Sequence, residues 1–421
     1  MSAGSPSAGA LSLAWGAPFV LLLLAIAVLP LRAAHWWESN RNKLLLSALL
    51  GLPVILLYLA RDPAALWHTG LEYFSFVVVL IALYSVSGGI LLTGDLRATP
   101  AVNTAFLATG AVLASFMGTT GASMLLLRPL LATNAERTQV RHTVIFFIFI
   151  VANAGGLLTP LGDPPLFMGY LRGVPFQWTF QLWPAWLFMN ASLLVIYFIF
   201  DTQALMREPQ AAVIRDRMLQ QPLRLVGTGH LLTLAGVLGC VAGLAFPWRE
   251  AGLLGLALLS LWRTPPEIHR ANHFSWHPML EVAALFAGIF TTMVPALEIL
   301  RERGPTLGVV EPWQFFWTTG LLSSFLDNAP TYLTFFALAE GLGQPSTLPG
   351  IGVPEPLLVA ISLGAVLMGA NTYIGNAPNF MVKAMAEARG VRMPSFFGYM
   401  AYSALILLPL FGILSLLYFR G

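Results

Sequence analysis

Apolar stretches long enough to cross a bilayer recur along the whole chain, and four of them are broken in the middle. Candidate spans in the first half are 11–31, 44–60, 71–92, 101–131, 143–171 and 176–200. The second half offers 225–246, 250–262, 279–300, 312–343, 355–385 and 397–419. About 20 apolar residues cross a hydrocarbon core as a helix, so the solvent for most of this surface is lipid. Only 10% of the 421 residues are charged, against roughly 25% in a soluble domain. The longest charged insert, Asp201 to Arg224, is too short to fold alone.

The breaks fall at Gly118-Thr119-Thr120-Gly121, at Thr159-Pro160-Leu161-Gly162-Asp163-Pro164-Pro165, at Asp327-Asn328-Ala329-Pro330 and at Gly375-Asn376-Ala377-Pro378. They lie at matching places in the two halves. Trp67-His68-Thr69-Gly70-Leu71-Glu72 resembles Trp276-His277-Pro278-Met279-Leu280-Glu281, and Ser115-Phe116-Met117 resembles Ser324-Phe325-Leu326, both at an offset of 209. Gly162 to Met168 resembles Gly375 to Met381 at an offset of 213. Three matches in one order at nearly constant offset imply an internal repeat.

Counting crossings gives the topology. With 101–131 and 312–343 as re-entrant hairpins, each half crosses five times, and an odd number turns the second half upside down. The expected fold is an all-α polytopic membrane protein of two inverted repeats. Each holds three helices, a re-entrant hairpin, a broken helix and a final helix. The first repeat is 1–200, a linker is 201–224 and the second repeat is 225–421. Fourteen of the basic residues fall in the loops near 32–43, 93–101, 132–142, 201–224, 263–278 and 386–397, and six on the opposite side. The first set is therefore expected in the cytoplasm and both termini outside. Met1 to Ala10 carry no Lys or Arg, which argues for a first membrane helix rather than a cleaved signal peptide. Two of the 22 basic residues are lysine, the usage of a GC-rich bacterial genome, so the expected location is the cell's inner membrane.

The net charge of +3 is scattered over short loops, which suits membrane topology and gives no footprint for nucleic acid. A single cysteine, Cys240, excludes a disulfide or thiolate metal site. The chain lacks a His-Glu-x-x-His pair, a Walker loop and a Gly-x-Ser-x-Gly elbow, so it is not expected to be an enzyme or to hydrolyse ATP. No nucleophile–base pair or continuous pore is apparent, and no resident cofactor is expected.

Irregular backbone survives in a membrane only where protein buries it or water reaches it. Its free carbonyls and half-helix N-termini then serve ions. The breaks supply oxygen ligands of the kind hard cations prefer. Break one offers Thr119, Thr120 and Ser123. Break two offers Asn153, Thr159 and Asp163. Break three offers Asp327, Asn328 and Thr331, and break four Asn371, Thr372, Asn376 and Asn379. Asp163 and Asp327 are the acids among them. An intramembrane carboxylate costs at least about 2.5 kcal/mol and usually marks an ion or proton path, and proton and cation can compete for it. Both residues also read as ordinary helix N-caps. Glu72 and Glu281 read first as structural contacts at helix starts, His68 and His277 as solvated loop residues, and Arg128 as snorkelling to the face or holding an anion.

Ala152-Asn153-Ala154-Gly155-Gly156, followed by Thr159 to Pro165, resembles the Ala-Asn-x-Gly-Gly run ending in Gly-Thr-Pro-Pro of the ion transporter superfamily. That group includes divalent anion/sodium symporters, citrate transporters, arsenite permeases and sodium/proton antiporters of the NhaD type. Asp327-Asn328-Ala329-Pro330 is similar to the Asp-Asn-x-Pro tip of the antiporters. The resemblance implies a homodimer with a scaffold and a moving transport domain, working by elevator-like alternating access. It implies that Asn153, Gly162 and Asp163, with the Thr119-Thr120 tip, shape one cation site. Asn328, Asn371, Gly375 and Asn376 shape its inverted partner. Asp163 and Asp327 are expected to be competing proton and cation acceptors. Sodium/carboxylate symporters carry Ser-Asn-Thr at both tips, whereas an acidic tip repels a di- or tricarboxylate. The reading is a secondary transporter exchanging sodium (or lithium) for protons. Its alternative is a cation-coupled citrate or dicarboxylate transporter.

Overall fold

The computed structural model describes residues 11–420; Met1–Ala10, where the absence of basic residues is read against a leader, lie outside the described residues. Helix α1 (Ala17–Arg32) and a short α2 (Ala34–Trp37) lead to α3 (Asn40–Arg61) and α4 (Pro63–Gly88). Strand β1 (Leu91–Asp95) precedes the helix pair α5 (Pro100–Met117) and α6 (Thr119–Thr133). Helix α7 (Arg141–Ile150) unwinds into a 3-10 turn, Ala154–Leu158, before α8 (Pro164–Leu171) and α9 (Trp183–Met206). After α10 (Gln210–Met218) and β2 (Gln221–Val226) come α11 (Gly229–Gly243), α12 (Trp248–Arg263), α13 (Pro266–Ala271) and α14 (His277–Arg303). A second helix pair, α15 (Pro312–Ser323) and α16 (Asn328–Gly341), follows. Helix α17 (Glu355–Met368) is separated by a second 3-10 turn from α18 (Ala377–Ala388), and α19 (Phe396–Tyr418) ends the described chain.

The described residues contain eight helical segments long and apolar enough to cross a membrane, so the protein is an all-α polytopic membrane protein. Their starts follow local chemistry. Proline at the first turn costs no intrahelical bond, and it opens α4, α5, α8 and α15. Asp62 and Thr99 cap Ala65 N and Val102 N at 3.2 and 3.3 Å, and Glu311 and Gln314 form a capping box. The tip of the first pair is Gly118, at φ 80°, a conformation that penalises a side chain.

Burial separates an outer shell from an inner one. The window in α3 is 28% buried, whereas Arg141–Leu158 is 83% buried. Broken segments therefore sit inside the protein, as unpaired backbone in a membrane must. Ion pairs fasten the shell. Lys43, itself buried, meets Glu281 at 2.8 Å, Arg61 meets Glu298 at 2.7 Å, and Arg172 meets Glu72 at 3.0 Å. Glu72 and Glu281 thus make structural contacts.

The stretch 201–224 holds the end of one helix, a further helix and a strand. Helix α9 continues to Met206, and β2 pairs antiparallel with β1, Leu91 opposite Val226 and Asp95 opposite Gln221. Asp216 is buried and accepts a 3.0 Å bond from Ala98 N. Loops expected on one side touch one another. Glu208 binds Thr138 N and Gln139 N at 3.0 and 2.8 Å, and Arg141 donates to Arg392 O at 2.8 Å. Asn40 donates to His277 O at 3.1 Å. Arg128 donates to Ala271 O at 2.9 Å, which accounts for its position near this face.

Candidate functional site

Each helix pair is stitched to a broken helix by the same set of bonds. The Thr159 hydroxyl donates to Ser115 O, and the Thr372 hydroxyl donates to Ser324 O. The Ser115 hydroxyl donates to Gly155 O, and the Ser324 hydroxyl to Met368 O. Leu161 N and Ile374 N each donate to the local threonine oxygen at 3.2 Å. These partners are separated by 209 residues in the helix pairs and 213 in the breaks, the offsets of the sequence matches.

Glycine makes this stitching possible. A Cβ on Gly162 would collide with the carbonyl oxygen of Gly156. A Cβ on Gly375 would lie 2.5 Å from Gly369 O and 2.7 Å from Ser323 O. The freed carbonyl of Gly162 accepts from Thr119 N at 2.9 Å, so the first tip rests on break two.

The two breaks meet at Asp163. It is 1% exposed and sits at the N-cap position of α8, yet its side chain makes no cap bond there. The carboxylate turns inward instead. Asn328 Nδ2 donates to Oδ2 at 2.5 Å, and Asn376 Nδ2 and Thr119 Oγ1 donate to Oδ1 at 3.2 Å each. Asn376 Nδ2 also approaches Asn153 Oδ1 at 3.3 Å. Asn153 Nδ2 donates to Asn379 Oδ1 at 2.7 Å, and Asn379 holds Gly369 O and Thr372 O at 2.8 and 2.9 Å. All six side chains are buried. A cavity of about 60 Å³ abuts the cluster, bounded by Thr119, Thr120, Gly162 and Asp163 and by Leu83 and Tyr84 of α4.

Two features decide what this cluster can do. Among the described residues no Lys, Arg or His pairs with Asp163. A buried carboxylate without a counter-charge is costly, and neutral amides offset only part of that cost. The second feature is an orphan: Asn328 Oδ1 is buried and has no hydrogen-bond partner. An unpaired oxygen beside an unpaired charge is a place for a proton or a hard cation, which takes carboxylate and amide oxygens together.

The remaining sequence candidates divide. Thr159 and Asn371 are fasteners; Asn371 Nδ2 donates to Ser324 Oγ at 2.9 Å. Gly162 and Gly375 permit close backbone approach. Thr331 donates to Asp327 O at 2.9 Å within its own helix. Asp327 caps α16 by accepting from Ala329 N at 3.2 Å and makes no bond to the Asp163 cluster. The resemblance implies one cation site in each half; the hydrogen bonds join side chains of both halves at the Asp163 carboxylate. Asn379, offered by the sequence only as one more polar residue of break four, links Asn153 to that break.

Apolar helices enclose broken segments, with one uncompensated carboxylate where the breaks meet, in a multi-pass membrane protein whose similarities are to transporters. The chain belongs to the family described as "Putative citrate transport", which it matches over residues 8–419. It is 24% identical over 314 residues to an uncharacterized transporter of Synechocystis sp., a match covering 66% of this chain and 68% of that protein. It is 32% identical over 134 residues to the P protein of Mus musculus and 35% identical over 75 residues to the P protein of Homo sapiens. Those matches cover 29% and 18% of this chain but only 15% and 9% of the two P proteins.

Proposed function

We propose that this transporter is a sodium (or lithium)/proton antiporter in which Asp163 accepts either the proton or the cation. The observation that carries the reading is Asp163 itself, buried and ringed by neutral donors, with the unpartnered Asn328 Oδ1 beside it. One carboxylate that must be neutralised, but has no resident cation to do it, holds one charge at a time. That is the minimum chemistry of exchange. Thr119, Asn153, Asn328 and Asn376 supply the remaining oxygens, and Asp327 attracts cations at the approach. Two inverted repeats in a homodimer, an elevator-like motion and an inner-membrane location with the Arg-rich loops in the cytoplasm belong to the same proposal. The recurring stitches at offsets of 209 and 213 support the repeats.

The family's description favours a second reading, cation-coupled transport of citrate or a dicarboxylate. In that reading Asp163 holds the coupling ion alone. Proteoliposomes with an internal pH dye separate the two. Collapse of an imposed proton gradient by Na⁺ or Li⁺ alone, lost in Asp163→Asn, supports exchange. Silence toward every cation, with citrate uptake instead, discards it for the second reading.

A further inference from the structure

Away from Asp163, the loop between α6 and α7, the end of α9 and the turn between α18 and α19 enclose a cavity of about 870 Å³. Its size is that of a small-molecule site. Five arginines line it: Arg137, Arg141, Arg207, Arg389 and Arg392, with His142 among them. Two acids stand behind this wall without lining it. Asp201 meets Arg137 at 2.7 Å and His142 at 2.8 Å, and Glu208 lies 3.8 Å from Arg137 Nε. The side chains of Arg207, Arg389 and Arg392 enter no ion pair or hydrogen bond among the described residues.

Two independent features point to an occupant. The side chain of Arg137 is only 3% exposed, yet its Nη2 has no hydrogen-bond partner. A buried guanidinium with spare donors is costly unless something accepts from it. The N-terminus of α7 also opens here, with no side-chain cap, and free N–H groups at such an end favour anions.

We propose that this cavity binds a polyvalent anion with clustered oxygens, as in a polycarboxylate, a polyphosphate or the phosphate of an anionic lipid headgroup. Guanidinium groups grip such oxygens in pairs, and anionic headgroups seek basic pockets between helices. The occupant bridges the loop after α6 to the loop after α18, two segments otherwise joined here by the bond from Arg141 to Arg392 O.

The test is calorimetric titration of the purified full chain with pyrophosphate and with citrate in neutral detergent. A parallel arm measures lipid retention from vesicles of phosphatidylglycerol or of phosphatidylcholine. The variants are Arg389→Ala/Arg392→Ala, Arg207→Ala and the charge-keeping Arg389→Lys/Arg392→Lys. We expect the first to weaken binding about tenfold or more, the second to weaken it less, and the lysine variant to recover part of the loss, which a misfolded protein would not do. Loss confined to pyrophosphate or citrate identifies a free anion, and loss confined to phosphatidylglycerol identifies a lipid; either supports the site. Ligands held equally by wild type and all arginine variants overturn it. So does a citrate isotherm abolished by Asp163→Asn and unmoved by the arginine changes.

Discussion

Asn328 donates to Asp163 at 2.5 Å across 165 residues of sequence. The bond joins the first residue of α16 to the residue that opens α8, so the second helix pair reaches into the first broken helix. A carboxylate fixed this way is supported by elements on both sides of the molecule, and its occupancy bears on both.

Asp163→Asn removes the charge and keeps the shape. We expect the variant to fold and to lose cation-dependent proton exchange to the level of empty liposomes. Its thermal unfolding midpoint in detergent should match or exceed wild type, because a buried uncompensated charge has been deleted. A variant that keeps exchange sinks the proposed role of Asp163.

Asn328→Ala and Asn376→Ala each delete a donor to the carboxylate. Hydrogen bonds to charged groups contribute about 1.5–3 kcal/mol, and 1.4 kcal/mol is tenfold in affinity. The sodium concentration for half-maximal exchange should rise about tenfold in either variant. Thr331→Ala, a change confined to α16, should leave it within about twofold.

Gly162→Ala and Gly375→Ala drive a methyl into backbone carbonyls that have nowhere to go. Both should lower the unfolding midpoint by several degrees or abolish membrane insertion. Gly239→Ala is the control. A Cβ there meets nothing within 4 Å, and alanine favours a helix over glycine by about 0.5–1 kcal/mol.

Outside the membrane, two acids should respond to pH with opposite sign. Burial raises the pKa of Glu208, but bonds from the backbone and hydroxyl of Thr138, the backbone of Gln139 and the charge of Arg137 outweigh it and hold the carboxyl below its ordinary 4.5. Its stabilisation is present above 4.5 and fades as pH falls through the folded value. Glu208→Gln should therefore be less stable than wild type at pH 7, and the gap should close in acid. Asp95 is raised above its ordinary 3.8 by burial and by Glu136 and Asp216. Its charged form costs stability at neutral pH, so Asp95→Asn should gain stability at pH 7 and lose that gain below 3.8. Thermal unfolding between pH 3.5 and 8 reads both.

The spans and the breaks were legible because each leaves a local trace, an apolar run or a polar interruption within one. Gly118 at a helix-pair tip and Asp163 before Pro164 and Pro165 could be located without knowing any neighbour. What meets Asp163 could not. Asn328 and Asn376 stood out only as polar residues in other breaks, and no periodicity records a contact across 165 or 213 residues. Asp201 was hidden for a different reason. It follows an apolar run and opens a charged stretch, the pattern of a chain leaving the membrane. In the fold α9 continues past it, and Arg137, His142 and Asn103 satisfy it from elsewhere. Strands β1 and β2 are five and six residues long and too brief to stand out beside helices of more than twenty.

The assembly of the Asp163 cluster also sets an order of events during synthesis. Asp163 leaves the ribosome 165 residues before Asn328 and 213 residues before Asn376. For that interval the nascent chain holds an intramembrane acid whose two amide donors do not yet exist, at a cost of at least about 2.5 kcal/mol. Thr119 is the one partner already made. The half-built chain therefore lacks two of the three side chains that hold Asp163 in the finished fold.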